Sequence, residues 1–513
     1  MTEAWNSLPL SCRGGLEESV EKIEFGTNYV GFARTLQNFE PSIGGGYRRI
    51  DGYIKWDDDV VPGDTDAPVT GVKVALGGVY AVRKLLTDNA VYFSSGSGWG
   101  SPLNGSARTG AVNKSRFISY SISEPVVVLT DGVNPAWKHN GTTAVVLNSS
   151  GAPTAPKYAS MHLSRLVLAP GSNASSIVLS APSNDEDFLG TSGAIEINIG
   201  DEVTGLHTFR ETLYIFCKNS IFKLSGDSSA NFTISRVTDS IGCISHDTIQ
   251  EIAGDVLFLS TDGVRPISAS ERIGDIELAS LSTAIQETLS DEILGNFSEE
   301  YFSSCAIRKK SQYRLFVNNI DTVEQSNLGF LARFGRGASG KQIEWSTIVG
   351  IQPYCTDSEY SNFNEVAVFG HPTNGYVYRM ESGNDFDGTP IQWSYATPYL
   401  TFTGDVRQRK VIHKVDVYAE FEGPVTISVN VNFDYDSANV VQPKAIQLEN
   451  SGGFSLYGLA VYGVDVYSEF NRGNVETNLI GSGNTCSISF SGNGGNSFTI
   501  DSLNVLYAPK GRR

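Results

Sequence analysis

Two acidic clusters, Asp57-Asp58-Asp59 and Asn184-Asp185-Glu186-Asp187, are the densest oxygen chemistry in the chain. Carboxylates this close could ligate calcium, or serve as the acid and the base or nucleophile of a glycoside hydrolase. The first cluster lacks the alternating Asp-x-Asp-x-Asp-Gly spacing of a calcium loop, and both also suit solvated loops. Histidine is scarce: His139, His162, His207, His246, His371 and His413 show no HExxH, HxH or HxxxH spacing, and read as surface or core-edge residues. The cysteines, Cys12, Cys217, Cys243, Cys305, Cys355 and Cys486, are far apart and form no CxxC. Several stand in apolar runs, which predicts buried free thiols in a reducing compartment. Gly96-Ser-Gly-Trp-Gly and Gly190-Thr-Ser-Gly come near a nucleophile elbow in composition, but no helix follows either. Gly44-Gly-Gly lacks the Lys-Ser/Thr of a phosphate loop. The expectation is no catalytic, cofactor-binding or metal-ligating residue. Two basic clusters, Arg407 to Lys414 and Lys510 to Arg513, could touch a phosphate backbone or an acidic partner, or could be a strand flank and a frayed terminus.

The elements that must position these residues are strands. Of 513 residues, 53 are Gly and 19 Pro, aromatics reach 11% and charged residues only 18%. That excludes a disordered chain, a coiled coil or a helical solenoid. With 38 basic and 56 acidic residues, the formal net charge of −18 predicts no tight binding of nucleic acid by the bulk surface. The N-terminal residues lack the basic region and apolar core of a secretory signal, and no window has the apolar length of a membrane span. The expectation is a protein made in a cytoplasm, with no membrane insertion.

A strand–turn–strand unit recurs along the chain. Its turns fall at Asp88-Asn89, Asp131-Gly132, Gly171, Lys218-Asn219, Asp262-Gly263, between Tyr313 and Leu328, and at Thr373-Asn374. Each unit has two apolar faces that only neighbouring units can bury, and the spacing is close to that of propeller blades. The fold predicted is all-β: a six- or seven-bladed β-propeller over 61–385, a C-terminal β-sandwich over 386–513 with a basic tail, and an N-terminal segment, 1–60, packing on or closing the propeller. One strand of that segment is expected to pair with the far end of the propeller, which would otherwise leave unpaired edges. Apolar residues at 281, 285, 289 and 293 predict one short inserted helix, and Thr248 to Gly254 suggests a further helical turn. Val411–Phe421 and Val425–Tyr435, separated by Glu422-Gly423-Pro424, read as an antiparallel pair.

Two segments carry a family resemblance. One runs from Leu8-Pro-Leu-Ser-Cys-Arg-Gly-Gly-Leu to Ala33-Arg-Thr-Leu-Gln-Asn-Phe-Glu-Pro-Ser-Ile-Gly-Gly-Gly-Tyr-Arg-Arg-Ile-Asp-Gly-Tyr53; the other spans Leu206 to about Ser268 and includes Leu257-Phe-Leu-Ser-Thr-Asp-Gly-Val-Arg. They resemble tail hub or nozzle proteins of short-tailed bacteriophages, also called DNA-stabilisation or tubular tail proteins. The resemblance implies a structural, non-enzymatic virion protein in the phage tail. It would form a homo-oligomeric, hexameric ring below the portal and the adaptor (head–tail connector) ring. Such a ring extends the channel for double-stranded DNA, retains the genome, and carries needle, tailspike or fibre proteins. The alternative is a propeller that binds glycans, or a glycoside hydrolase or depolymerase.

Overall fold

A computed structural model describes residues 5–510 apart from 106, 110–112, 172–174, 269–279, 296–300, 319–326, 336–342, 362, 403–404, 406, 451–470 and 478–480. Each hairpin of the recurring unit forms the second and third strands of a small antiparallel sheet. The first sheet orders Val69–Ala75, Gly78–Leu85, Asp88–Ser94 and Arg108–Thr109. The second orders Arg116–Ser121, Pro125–Thr130, Ala136–His139 and Ala144–Leu147. The third begins at Pro156–His162, the fourth at Val203–Phe209, the fifth at Gln250–Ile252, the sixth at Phe302–Ile307 and the seventh at Cys355–Ser361. The second strands are almost wholly buried, as with Val126 to Leu129, because both of their faces meet neighbouring sheets.

The sheets close into a circuit. Their first strands touch in succession, the fourth meeting the fifth through the 3-10 turn His246–Thr248 that leads into it, and the seventh returns to the first. The apolar clusters follow the same path: Val366, Val368 and Val377 of the seventh sheet share a core with Val69, Val79 and Tyr92 of the first, and Val128 and Ala136 of the second pack with Leu166 and Leu168 of the third. This is a β-propeller. Tyr53–Lys55 pairs antiparallel with Val377–Met380, so an N-terminal strand completes the last sheet. Among the described residues the fifth sheet has three strands, and helix Gln286–Gly295 packs beside the last of them, with Leu289, Ile293 and Ile285 of the preceding 3-10 turn buried.

Three local expectations need correction. The first turn sits at Leu86-Thr87, not Asp88-Asn89, and the latter pair belongs to the strand. Thr248 to Gly254 is not a helical turn: after a 3-10 turn at His246–Thr248, Gln250–Ile252 pairs with Asp255–Ser260, because joining the propeller circuit outweighs a weak helical tendency. A second α-helix, Lys22–Asn28, carries no apolar stripe that would have marked it.

The C-terminal unit is two packed sheets. One contains Lys410–Phe421 between Phe498–Pro509 and Asn471–Thr477; the other contains Gln392–Ala396, Cys486–Asn493, Val425–Phe433 and Ile446–Asn450. Lys410–Phe421 and Val425–Phe433 therefore do not form the expected hairpin. The chain arches across Glu422-Gly423-Pro424 into the opposite sheet, so Val415, Val417, Ala419 and Phe421 share one core with Val425, Ile427, Val429 and Val431. N-terminal strands complete this unit too: Asn6–Ser11 and Tyr47–Arg49 pair with Phe498–Pro509. Thr35–Gln37 lies between Ile343–Val349 of the sixth sheet and Gln392–Ala396, making one continuous sheet from propeller to sandwich. Among the described residues no helix is long and apolar enough to cross a membrane.

Candidate functional site: a filled axis and an ionic junction

The starts of the first strands converge on the propeller axis around a cavity of about 130 Å3, lined by Thr70, Lys114, Arg116, Asp247, Ser304 and Asp357 among others. That is room for about four waters at their liquid volume. Arg116 grips Asp247 with two hydrogen bonds of 3.0 and 2.9 Å. Lys114 Nζ lies 3.4 Å from the same carboxylate and donates to the Phe302 carbonyl at 2.6 Å. Burial alone would raise the Asp247 pKa, but Arg116 and Lys114 outweigh it and hold the group well below the usual carboxylate range. Burial lowers Lys114, against the pull of Asp247. Asp357, the other carboxylate of the lining, accepts from Lys73 Nζ at 3.0 Å and from the Val74 amide at 2.8 Å. A glycosidase acid must keep its proton near neutral pH. Asp247 is arranged for the reverse.

The larger ionic assembly lies where propeller, sandwich and N-terminal segment meet. Glu40 is buried on strand Phe39–Pro41; Arg48 and Asp51 flank the end of Tyr47–Arg49. Lys310 and Arg314 come from the sixth sheet, Glu381 follows the seventh, and Glu422 starts the sandwich arch. Lys310 Nζ meets Glu40 at 2.8 Å, Asp51 at 3.1 Å and also Glu381. Arg48 reaches Asp51 at 2.9 Å, Glu422 at 3.1 Å and Glu40 at 3.3 Å. Arg314, 1% exposed at its side chain, binds Glu381 at 2.6 Å, and Gln312 Nε2 donates to Glu40 at 2.7 Å. Burial would raise Asp51, but Lys310 and Arg48 outweigh it and hold its pKa at about 2. Beside the network, the Asn38 side chain donates to the carbonyls of Val349 and Gln392, one from each unit. Phe39 packs edge-on against Trp393 and Phe498.

The candidates singled out in the sequence are mostly structural braces. Asp57 accepts from Ser94 Oγ and the Gly98 amide, both at 2.6 Å. Asp185 accepts from Tyr120 and Lys138, and Lys138 also bonds Glu186. Among the described residues no His, Cys, Asp and Glu grouping could hold a metal ion. Gly44 to Gly46 is a hairpin tip between Phe39–Pro41 and Tyr47–Arg49, and Gly190–Ser192 is an isolated 3-10 turn. Each of the six cysteines carries a thiol rather than a disulfide, and burial pushes Cys12, Cys217, Cys305 and Cys355 up to about 12. Burial lowers His207 and His371 to about 4. The two basic clusters converge: the Lys510 amide donates to the Arg409 carbonyl at 2.7 Å. Within them Lys410 is buried and donates to the Asp405 and Asn484 carbonyls, and Arg409 binds Ser482. Residues 511–513 of the tail lie outside the described residues.

The junction network was not foreseen. Its members are scattered from position 40 to position 422, and the one local signal was a charge inside an apolar strand, Arg314 in Tyr313-Arg-Leu-Phe-Val.

Fold and site define a β-propeller locked to a β-sandwich through a buried ionic junction. No family model matches the chain, and no curated protein matches it. Among solved structures it is similar to the extracellular domain of a two-component system from B. thetaiotaomicron, at 10% identity over 71% of this chain with a TM-score of 0.40. The chain spans 42% of that structure's length. It is also similar to BBS1N, solved in complex with ARL6DN, at 11% identity over 65% of this chain and 98% of that one, with a TM-score of 0.39. Likenesses this distant say nothing of what the chain binds or does.

Proposed function

We propose that the chain is a structural subunit of a short-tailed phage tail, a hub or nozzle protein that assembles as a ring beneath the adaptor and extends the DNA channel. The observation that carries the reading is where the family-like segment falls. Residues 33–53, which resemble the phage hub proteins, hold Asn38, Glu40, Arg48 and Asp51, the groups that fasten sandwich to propeller. A ring wall that confines packaged DNA needs units that do not swing against each other, and a buried charge network fixes one geometry.

The propeller axis is filled by Lys114, Arg116 and Asp247, in a cavity far too small for a duplex whose major groove alone is about 12 Å wide. The DNA lumen of the proposed ring therefore runs between subunits. Net acidity suits a wall along which DNA slides without sticking. The test is mass in solution together with negative-stain imaging, alone and with an adaptor ring. The reading predicts rings with a central hole wide enough for duplex DNA. A persistent monomer under both conditions overturns it and moves the search to glycan ligands.

A further inference from the structure

The outer face of one sandwich sheet is a grid of uncharged polar side chains. Across five neighbouring strands the register places Gln37 opposite Ser394, Ser394 opposite Ser491, Ser491 opposite Ser428 and Ser428 opposite Gln447. At about 4.8 Å per strand this row runs about 19 Å across the sheet. A second row lies two residues along the strands, with Gln392 opposite Asn493 and Thr426 at the matching position of the next strand. The alternate residues, among them Trp393, Val425, Ile427 and Phe490, turn inward to the sandwich core, so strand alternation directs both rows outward. The rows line a shallow groove of about 550 Å3.

Two properties set this face apart from a merely solvated one. None of the groove's lining residues is charged, and on the five strands the one charged residue is Glu449, opposite Thr426 at the margin. Solvent-facing surfaces ordinarily carry charges for solubility. The other sandwich sheet does so, with Asp416 and Glu420 alternating with Val415, Val417 and Ala419. The side chains of the grid are also uncommitted. Among the described residues none of the eight polar side chains in the two rows hydrogen-bonds another group of the chain, whereas Asn430, two residues beyond Ser428, donates to Asn432.

The chemistry of the grid narrows its occupant. Each amide and hydroxyl both donates and accepts hydrogen bonds, which matches the hydroxyls of a sugar. A charged peptide, a nucleic acid or an anionic membrane finds no counter-charge here. An apolar segment would strip water from the grid without replacing its hydrogen bonds. The row is long enough for several sugar rings in an extended chain. Trp393, the one aromatic residue of the lining, is 1% exposed, so the contacts are hydrogen bonds rather than ring stacking, and a single site binds weakly.

We propose that this sheet face binds a neutral oligosaccharide along the row from Gln37 to Gln447. The site belongs to the sandwich and stands whether or not the chain assembles as a ring. The test applies the whole chain to immobilised neutral oligosaccharides of glucose, galactose, mannose and N-acetylglucosamine, with sulfated and uronic-acid oligosaccharides as the charged comparison. The strongest ligand is then titrated against a Thr426→Ala, Ser491→Ala, Asn493→Ala variant and a Ser491→Arg variant. All three positions are exposed, so both variants keep the fold and the melting temperature of the parent. Expected are binding to a neutral oligosaccharide, no preference for the charged ones, and affinities about tenfold or more weaker in both variants. No neutral oligosaccharide bound, a preference for charged ones, or unchanged affinity in either variant would each overturn the site. So would self-association of the parent chain that Ser491→Arg abolishes, which would give the face to a second copy.

Discussion

The axial cluster and the junction network are both ions taken out of water, yet they differ in balance and in reach. On the axis, Lys114 and Arg116 face one paired carboxylate, Asp247, and tie the second sheet to the fifth and sixth across the centre of the circuit. At the junction, Glu40, Asp51, Glu381 and Glu422 surround Arg48, Lys310 and Arg314, and its longest contacts bridge positions 270 and 374 residues apart. The axial cluster fills a hole that the propeller geometry would leave anyway. The junction decides how two independently plausible units sit against each other. Buried ion pairs are poor sources of net stability, but removing one member strands the others in a low-dielectric site. The two clusters should therefore respond differently to the same kind of injury.

The harshest way to break the comparison is to delete residues 1–55. This removes the strand completing the seventh sheet, three strands of one sandwich sheet, the strand bridging propeller and sandwich, and three of the junction's charged groups, Glu40, Arg48 and Asp51. The expected outcome is loss of the cooperative fold, read by near-UV circular dichroism; a melting temperature equal to that of the full chain would contradict this architecture. Next is Arg314→Ala, which leaves Glu381 and Glu40 buried without their most deeply buried cation. It should cost about 3–5 kcal/mol in urea unfolding. Asp247→Asn removes the carboxylate that Lys114 and Arg116 share and should also cost about 3–5 kcal/mol, eased where Lys114 keeps the Phe302 carbonyl. If the axial change splits or broadens the unfolding transition and the junction change does not, the contrast drawn between the clusters fails.

The smallest effect is graded with pH. His207 and His371 stay neutral in the fold down to about 4, against an ordinary 6.5, so the unfolded chain takes up their protons first. Stability is whole above pH 6.5 and falls as the pH drops towards 4. Asp51, at about 2 against an ordinary 3.8, adds a second loss as the pH falls from near 4 through 2. Urea midpoints across pH 2–8 should fall in these two steps. Replacing His207 and His371 with Gln should flatten the upper one.

What could be read beforehand follows from how local the physics is. The second and third strands of each sheet announced themselves because a run such as Val126-Val-Val-Leu and its turn Asp131-Gly132 lie within a few residues. First strands such as Arg116–Ser121 were missed: they alternate weakly and depend on neighbours in the circuit for burial. The sandwich strands were legible, but their pairing was not. Lys410–Phe421 and Val425–Phe433 each present an apolar face to the common core, and a hairpin and an arch across Pro424 share that pattern. The strand closing the seventh sheet was anticipated from the edge it had to cover. The junction was invisible because charges at 40, 51, 310, 381 and 422 become neighbours only once both units exist.

The central claim is that propeller and sandwich form one mechanical body, held by a shared sheet, a shared core and the ionic junction. Differential scanning calorimetry of the whole chain tests it most directly. The account predicts one cooperative transition whose calorimetric and van't Hoff enthalpies agree, and which splits or broadens in the Arg314→Ala variant. Two well-separated transitions in the parent chain, unaltered by that substitution, would contradict it.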